Sequence, residues 1–249
     1  MTNKPKSLNI FTKAVSLMIC TVMTLGLFTT SFAQKVSDDL IGTAYEEAGT
    51  VLGALKIMIG DPDGSFRPED GLKRSEFAKI AVHALGLQDA ADAVKGTVNF
   101  NDLYADYWAN GYINIAHEQG MVIGDPDGSF RPEDKITYQE AVTVLVRMAG
   151  YEPAAESKGG YPSGYLSVGN QYGFTKNATG VGSSVIKRGT AAILTNNTLT
   201  IGMMEQTGFG TNTNYEITKK TILQEYLDTE KLDGKITGNY FTHLSANVG

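Results

Sequence analysis

The sequence has almost no cysteine, and this shortage excludes several kinds of site at once. Its single cysteine, Cys20, lies in a short apolar run near the N terminus. The chain after that run therefore has no disulfide framework, no thiolate metal site and no cysteine nucleophile. Such a composition suits an exported protein that does not rely on disulfides.

The N terminus lacks an apolar run of full membrane-spanning length. The run at residues 14–27 is shorter than the ~20 residues that a transmembrane helix needs. Three lysines precede it, and Ser31-Phe32-Ala33 places small residues where a signal peptidase requires them. We expect residues 1–33 to be a signal peptide and the exported chain to have no membrane contact; an uncleaved N-terminal anchor is the alternative.

Basic charge is also scarce. The chain has 21 Lys+Arg and 27 Asp+Glu, a net charge of −6, and loss of a leader with three lysines and no acid leaves −9. We expect no nucleic-acid partner, because binding a polyanion needs a basic surface. An anionic glycan requires a few well-placed cations, since the overall field opposes it.

Catalytic and metal-binding motifs are missing as well. The sequence has no Gly-x-Ser-x-Gly, no His-Glu-x-x-His and no phosphate loop, and its three histidines share no metal spacing. Asp61-x-Asp63-Gly64 is similar to part of a calcium loop, but Ile59 stands at its first ligand position and Arg67 at its ninth. We therefore expect no catalytic residue, metal or cofactor, and interpret this segment as a turn.

A duplication organises the middle of the chain. The twelve residues Ile59–Asp70 recur unchanged at Ile123–Asp134, an offset of 64 that also places Asp38 on Asp102. After each loop, apolar residues at i, i+3, i+4, i+7 and i+8 predict the buried stripe of a helix. These stripes are Phe77, Ile80, Ala81, Ala84 and Leu85 in copy one and Ala141, Val144, Leu145, Met148 and Ala149 in copy two.

Helix signals predict a helix-loop-helix unit in each copy. In copy two a helix is expected over Tyr107–Gln119, and Thr137 with Glu140 predicts a capping box at the second helix. Copy one has Lys73 at the capping position, so a looser helix start is expected there.

A degenerate third copy is expected, because Tyr161–Gly173 is similar to Trp108–Gly120 at an offset of 53. After it, residues 217–227 favour a strand or a helix, and residues 235–244 alternate like a strand. The assigned segments are 1–33 (leader), 34–96 (copy one), 97–151 (copy two), 160–205 (copy three) and 206–249 (a linker and the start of a further domain).

The motifs of copy two, in their order, resemble the surface-layer-homology (SLH) domain. They are Phe-x-Asp at 100–102, Trp108, Gly-x-x-x-Gly at 120–124, Asp-Gly-x-Phe-x-Pro at 127–132 and a helix start at 136–140. The resemblance covers residues 35–205 and implies a mainly α, pseudo-threefold bundle of helix-loop-helix repeats, to which the C-terminal segment adds β character. It also implies grooves between repeats that bind secondary cell-wall polysaccharide, often through a terminal pyruvylated sugar.

The resemblance implies a set of polysaccharide-binding residues whose chemistry suits such a ligand. A guanidinium pairs with a carboxylate, an aromatic ring stacks on a pyranose, a carboxylate accepts from hydroxyls, and a glycine admits close approach. No copy holds all four, so we expect one or two working grooves, one of them combining Arg74 with the acid, tryptophan and glycine of copy two. Because copy three is degenerate, Arg74→Ala is expected to weaken binding more than Arg188→Ala. The candidates are Asp38, Gly60, Arg74, Asp102, Trp108, Gly124 and Arg188.

The expected function is therefore non-covalent attachment of an exported protein to wall polysaccharide at the cell surface. Lateral self-association in a surface layer is a further expectation from the resemblance. The alternative is that the repeats are the wall anchor of an exported enzyme, such as a polysaccharide hydrolase.

Overall fold

The computed structural model describes residues 36–97, 99–208 and 214–231. The expected signal peptide and the strand predicted at 235–244 lie outside these residues. Within the described part there are nine helices and one two-stranded antiparallel sheet, which confirms the mainly α fold. In chain order the elements are α1 (Glu46–Ala54), α2 (Arg74–Ala84), α3 (Gln88–Ala93), α4 (Asn110–Glu118), α5 (Tyr138–Met148), α6 (Glu152–Glu156), α7 (Ser163–Gln171), α8 (Arg188–Thr200), β1 (Gly202–Gln206), β2 (Tyr215–Thr221) and α9 (Ile222–Glu225).

A ring of three short extended segments organises the bundle. The segments are 71–73, 135–137 and 185–187, and each directly precedes one of the helices α2, α5 and α8. Their central residues, all apolar, are buried where the three copies meet. Single antiparallel bridges join every pair of segments, as Gly71 with Lys187, Lys73 with Lys135, and Thr137 with Val185.

The start of each long helix donates hydrogen bonds to the loop of another copy. The first amides of a helix have no partner inside that helix and must find one elsewhere. The order is cyclic, because the start of α2 donates to the loop of copy two, the start of α5 to residues 182–184, and the start of α8 back to the loop of copy one. The amides and their acceptor carbonyls are Arg74 to Asp134 (2.9 Å), Tyr138 to Ser184 (2.9 Å) and Arg188 to Asp70 (2.7 Å). This cycle is the approximate threefold arrangement of the fold.

The predicted helical stripes form much of the core. All ten stripe residues of copies one and two are buried, on α2 and α5 and the residues that follow them. The spacing prediction is therefore confirmed for both helices. No helix in the described residues is long and apolar enough to cross a membrane.

The helix starts differ as the capping residues predict. At α5 the hydroxyl of Thr137 accepts from the amide of Glu140, and a Glu140 carboxylate oxygen accepts from the amide of Thr137 at 2.8 Å. At α2 only the return bond is made, from the Lys73 amide to Glu76 at 2.7 Å, because an ammonium group has no acceptor. The helix expected from Tyr107 begins three residues later, at Asn110, since residues 108 and 109 lie in the preceding turn.

A β-hairpin follows the helical bundle and confirms the expected β character. Strands β1 and β2 pair antiparallel, and the segment for which a strand or a helix was expected contains the end of β2 and then α9. The hairpin is joined to the end of α5, since the Met204 amide donates to the Ala149 carbonyl at 3.0 Å. The Tyr151 hydroxyl donates to the Gly202 carbonyl at 2.7 Å.

Candidate functional site

A cleft of about 410 Å³, here called cleft A, opens beside the loop of copy two. Copy one contributes Arg74, the first residue of α2. Copy two contributes the loop residues 121–126, Arg131 and one face of α5, and the following segment contributes Tyr161. Because residues from three parts of the sequence line this cleft, its composition depends on how the copies assemble.

Arg74 lies deep in cleft A and is held from two sides. Its guanidinium carbon lies 4.9 Å from the centre of the Phe130 ring, and its Nε donates to the Phe130 carbonyl at 2.8 Å. Its Nη1 donates to Glu140 Oε1 at 2.7 Å, and the Arg74 side chain is only 11% exposed. Part of its hydrogen-bonding capacity is thus already used by a carboxylate of the protein.

Two further arginines line cleft A. Arg131 forms ion pairs with Asp125 at 2.6 Å and with Asp134 at 3.0 Å, and the hydrogen bond that it donates to Asp125 raises the pKa of Arg131. Arg147 pairs with Glu152 at 2.9 Å on its outer side. Three guanidiniums therefore line cleft A, although the chain is acidic overall. Sequence reasoning named only Arg74, because neither of the other two is singled out by the motif.

The aromatic residue that lines cleft A is Tyr161. It is about half exposed at the rim of cleft A, and its hydroxyl accepts from the Gln139 side-chain amide at 3.0 Å. Trp108, expected beside Arg74, does not line cleft A. It lies half exposed next to Tyr107, at 5.8 Å between ring centres. Tyr161 is equivalent to Trp108 at the offset of 53, and this equivalence could have identified Tyr161 as a candidate from the sequence.

Asp102 supports the loop of copy two and does not line cleft A. Its two carboxylate oxygens accept from the amides of Phe130 at 2.8 Å and Arg131 at 2.7 Å. Arg131 has a φ of 57°, a left-handed conformation that few side chains adopt readily. The carboxylate therefore fixes an unfavourable turn, which places Phe130 under Arg74.

In copy one the equivalent carboxylate is Asp39, one residue after the position that the offset of 64 predicts. Asp39 accepts from the amides of Phe66 at 3.0 Å and Arg67 at 2.7 Å. The continuous offset is therefore wrong at this end of the repeat. Copy one has one residue fewer than copy two between this acid and the turn before the first helix. Asp38 itself lies exposed at the start of copy one.

The two loop glycines are packed against their own loops. Gly124 lines cleft A at a φ of 73°, and a Cβ there would lie 2.8 Å from the Ser129 carbonyl oxygen and closer still to the Phe100 ring. A Cβ at Gly60 would lie 2.8 Å from the Ser65 carbonyl oxygen. Both positions exclude a side chain, since real Cβ atoms do not come this close to a backbone oxygen.

Arg188, the first residue of α8, lies against the loop of copy one as Arg74 lies against the loop of copy two, and its surroundings are here called cleft B. Its guanidinium carbon lies 4.9 Å from the centre of the Phe66 ring, and its Nη2 donates to the Ile59 carbonyl at 2.8 Å. Among the described residues it has no ion-pair partner, and its Nε is buried without a hydrogen-bond partner. Burial lowers the pKa of Arg188, although nearby carboxylates act in the opposite direction.

The third position of the cycle has Tyr138 in place of an arginine. A cleft of about 140 Å³ lies between Tyr138 and Tyr45. A Cβ at Gly180 would clash with the Tyr138 ring, and one at Gly189 would lie 2.6 Å from the Tyr45 ring. Lys187, which also lines this cleft, pairs with Glu69. Tyrosine rings thus fill the space where the other two interfaces hold a guanidinium.

The family model of the S-layer homology domain matches residues 41–78 and 99–142. The chain is 33% identical over 198 residues, 80% of its length, to the middle cell wall protein of Brevibacillus brevis. It is 30% identical over 219 residues, 86% of its length, to the surface layer protein of Brevibacillus choshinensis, and 29% identical over 96 residues, 39% of its length, to an endoglucanase of a Bacillus species. The matches cover 18%, 19% and 10% of those three relatives, so the chain spans about a fifth or less of their length.

Residues 41–78 and 99–142 therefore match the S-layer homology domain, which confirms the resemblance stated from the motifs. The family match and these relatives indicate attachment to the cell wall and a location at the cell surface.

Proposed function

We propose that this chain attaches to the cell wall by binding the carboxylate of a pyruvylated sugar of secondary cell-wall polysaccharide in clefts A and B. One observation carries the proposal. Two guanidiniums, those of Arg74 and Arg188, stack on equivalent phenylalanine rings at equivalent interfaces between copies. A guanidinium held flat in this way is preorganised for a carboxylate, because its remaining donors keep a fixed direction.

The two clefts differ in how available their arginine is. In cleft A a ligand carboxylate shares Arg74 with Glu140, while Arg131 and Arg147 add positive potential. In cleft B the Nε of Arg188 is buried without a hydrogen-bond partner, its Nη2 donates to the Ile59 carbonyl, and no carboxylate among the described residues pairs with it. A ligand carboxylate would not share this guanidinium with a carboxylate of the protein, so cleft B is the stronger carboxylate site.

The other candidate residues take different parts in the proposal. Tyr161 stacks on the pyranose in cleft A, and Trp108 does so in cleft B, because the two residues are equivalent in the cycle. Asp102, Gly60 and Gly124 shape the loops, and Gly124 also admits the ligand to the backbone of cleft A. For Asp38 we keep the proposal that it accepts from a sugar hydroxyl.

We assign residues 160–205 to a third, degenerate repeat. The observation that supports this assignment is that Arg188 and Gly189 donate to the loop of copy one, as the first two residues of α2 and α5 donate to their neighbouring loops. Two clefts on one chain bind the same polymer with avidity, since the second contact forms at a high effective concentration.

The test is a sedimentation assay of the exported chain with purified wall sacculi, before and after mild acid removal of pyruvate ketals. We expect the chain to pellet with untreated sacculi and to remain largely in solution with treated ones. Equal pelleting with both would refute the carboxylate mechanism, and no pelleting with either would refute wall binding.

A second candidate function is that these repeats are the wall anchor of an exported enzyme, such as a polysaccharide hydrolase. The endoglucanase relative supports it, because the match covers only 10% of that protein. Sequencing the gene beyond codon 249 separates the two, since this candidate requires the reading frame to continue into a catalytic domain. Lateral self-association in a surface layer is a further proposal, which sedimentation of the purified chain without sacculi tests.

A further inference from the structure

Two basic residues hold equivalent positions in copies one and two. His83 in the last turn of α2 and Arg147 in the last turn of α5 are related by the offset of 64. The guanidinium carbon of Arg147 lies 5.1 Å from the centre of the Tyr165 ring. The centre of the His83 ring lies 5.5 Å from that of Tyr112. These tyrosines are themselves equivalent at the offset of 53, so the same contact is made with a different basic residue at each place.

The two basic residues differ in the pH at which they are charged. An arginine stays cationic at every pH at which proteins are folded, whereas a histidine changes its charge between about pH 5 and about pH 8. Arg147 lines cleft A, so the positive charge there is permanent. At the equivalent place on α2, beside cleft B, a positive charge is present only when His83 is protonated.

A short segment of copy one connects His83 with Arg188, the arginine of cleft B. The Nδ1 of His83 lies 3.1 Å from the Lys56 carbonyl oxygen. Three residues later, the Ile59 carbonyl accepts from Arg188 at 2.8 Å. Both side chains therefore contact the segment that leads into the loop of copy one, and a charge on His83 acts on an anion that Arg188 binds.

The contacts of His83 define where a second proton is added. A carbonyl can only accept, so the neutral ring carries its hydrogen on Nδ1, and protonation takes place at Nε2. The Nε2 atom is buried and has no hydrogen-bond partner among the described residues. No acceptor in this part of the chain therefore stabilises the additional hydrogen.

The surroundings of His83 also oppose its positive charge. Burial and the charge of Lys79, one turn earlier on α2, lower the pKa of His83, although the hydrogen bond to the Lys56 carbonyl acts in the opposite direction. On the neighbouring helices the titratable groups are Tyr112 on α4 and Asp92 on α3, whose charge acts on Tyr112. Among the described residues no carboxylate contributes to the pKa of His83. A ligand carboxylate in cleft B would supply the negative charge that a protonated His83 lacks.

Building on the proposed function, we infer that His83 makes cleft B pH-dependent, so that this cleft binds an anionic wall polysaccharide more tightly when the surroundings become acidic. Protonation and binding favour each other by the same factor, because the two equilibria are linked. The described residues that line cleft A include Arg147 and no histidine, so cleft A binds independently of pH in this range.

The test measures each cleft separately. Arg74→Ala leaves the carboxylate site of cleft B, and Arg188→Ala leaves that of cleft A. The probes are purified pyruvylated wall polysaccharide and the same material after mild acid removal of its ketals. Affinity is measured by calorimetry between about pH 7.5 and about pH 5, the range in which histidine titrates. The melting temperature at each pH shows whether each variant is folded.

His83→Asn is the informative substitution, because an asparagine amide can still donate to the Lys56 carbonyl but does not titrate. His117→Asn is the matched control. The Nδ1 of His117 also lies 3.1 Å from a backbone carbonyl, that of Val122, and His117 does not line cleft A. Both substitutions are introduced into the Arg74→Ala chain.

In the Arg74→Ala chain we expect the affinity for pyruvylated polysaccharide to rise about fivefold from pH 7.5 to pH 5. His83→Asn should abolish this rise, and His117→Asn should leave it unchanged. The Arg188→Ala chain should bind equally at both pH values, within about twofold. A rise that persists in His83→Asn would overturn the inference, because it would come from other groups, such as the carboxylates near Arg188. Constant affinity in the folded Arg74→Ala chain would overturn it as well.

A second measurement uses the unsubstituted chain and does not depend on how the variants fold. Nuclear magnetic resonance follows the titration of the His83 ring, identified by its absence in His83→Asn, with and without pyruvylated polysaccharide fragments. The pKa of His83 should rise when the fragments bind, and an unchanged value would contradict the inference. If the proposed function itself fails, the unsubstituted chain binds the polysaccharide at no pH, whereas failure of this inference alone leaves binding that does not vary with pH.

Discussion

Glu140 limits how strongly Arg74 can hold an anionic ligand, and Glu140→Gln tests this directly. One oxygen of Glu140 accepts from Arg74 at 2.7 Å, and the other accepts from the Thr137 amide that begins α5. Glutamine is also an accepted residue at this position of a capping box, so the substitution keeps the cap while it removes the competing charge.

The size of the effect follows from the bond that is lost. A hydrogen bond to a charged group contributes about 1.5–3 kcal/mol. Arg131 also lies near Glu140, at 3.5 Å, so the carboxylate is shared and only part of this energy is released to the ligand. We expect the affinity for pyruvylated polysaccharide to rise about fivefold, which corresponds to ~1 kcal/mol. The free energy of unfolding should fall by about 1–2 kcal/mol, because this pair is largely shielded from water.

The matched control is Glu76→Gln in copy one. Glu76 accepts from the Lys73 amide at the start of α2 at 2.7 Å, as Glu140 accepts from the Thr137 amide at the start of α5. Unlike Glu140 with Arg74, Glu76 has no ion pair with Arg188. Its substitution should leave affinity within about twofold. Calorimetric titration at two salt concentrations gives both values, and the gain in Glu140→Gln should shrink at higher salt. Unchanged or weaker binding by a folded Glu140→Gln variant would refute the reasoning, as would an equal gain in Glu76→Gln.

Three further predictions follow from the same contacts. Arg188→Ala should reduce binding to sacculi about tenfold or more and Arg74→Ala by less, because only Arg74 shares its charge with a protein carboxylate. The opposite order, which the degenerate sequence of copy three predicts, would show that cleft A contributes more to binding. Asp39→Ala should lower the free energy of unfolding in urea by about 1–3 kcal/mol, because the amides of Phe66 and Arg67 would lose their acceptor. Asp38→Ala should lower it by much less, and equal losses would contradict the assignment of Asp39 as the equivalent of Asp102. Burial lowers the pKa of His83, so the unfolded chain binds a proton more readily, and stability should fall as the pH drops below about 6.5. His83→Asn should flatten this fall in melting temperature, and an unchanged pH profile would refute His83 as its cause.

Much of the helical architecture could be predicted from periodicity and capping residues. The buried stripes of α2 and α5 and the contrast between Thr137 and Lys73 depend on residues within one helix. Local patterns carry such features because residues three and four apart share a helix face.

The composition of cleft A could not be predicted in the same way. Cleft A is lined by Tyr161 and not by Trp108, because its arginine comes from the preceding copy and its aromatic residue from the segment that follows copy two. The order of the repeats around the ring decides which aromatic residue lines the cleft. The periodicity within one copy contains no information on that order. The place of Asp39 was missed because one residue is absent from an exposed turn, where a change of length costs little.

Residues 160–205 complete the ring although their sequence is less similar to copies one and two than those copies are to each other. The bonds that join this segment to copies one and two are made by backbone groups, at Arg188, Gly189 and Ser184 among others. Backbone bonds tolerate differences in side chain, so sequence similarity does not record them.

The cyclic order of the helix starts also fixes how many copies one body can contain. Helical solenoids are open arrays, in which each added repeat contributes a similar increment and the ends can be extended. Here the start of α8 donates to the loop of copy one, so the ring of described helix starts has no free partner for a further repeat. Removing any copy would leave one helix start without acceptors and one loop without donors, and the body should therefore unfold in a single transition.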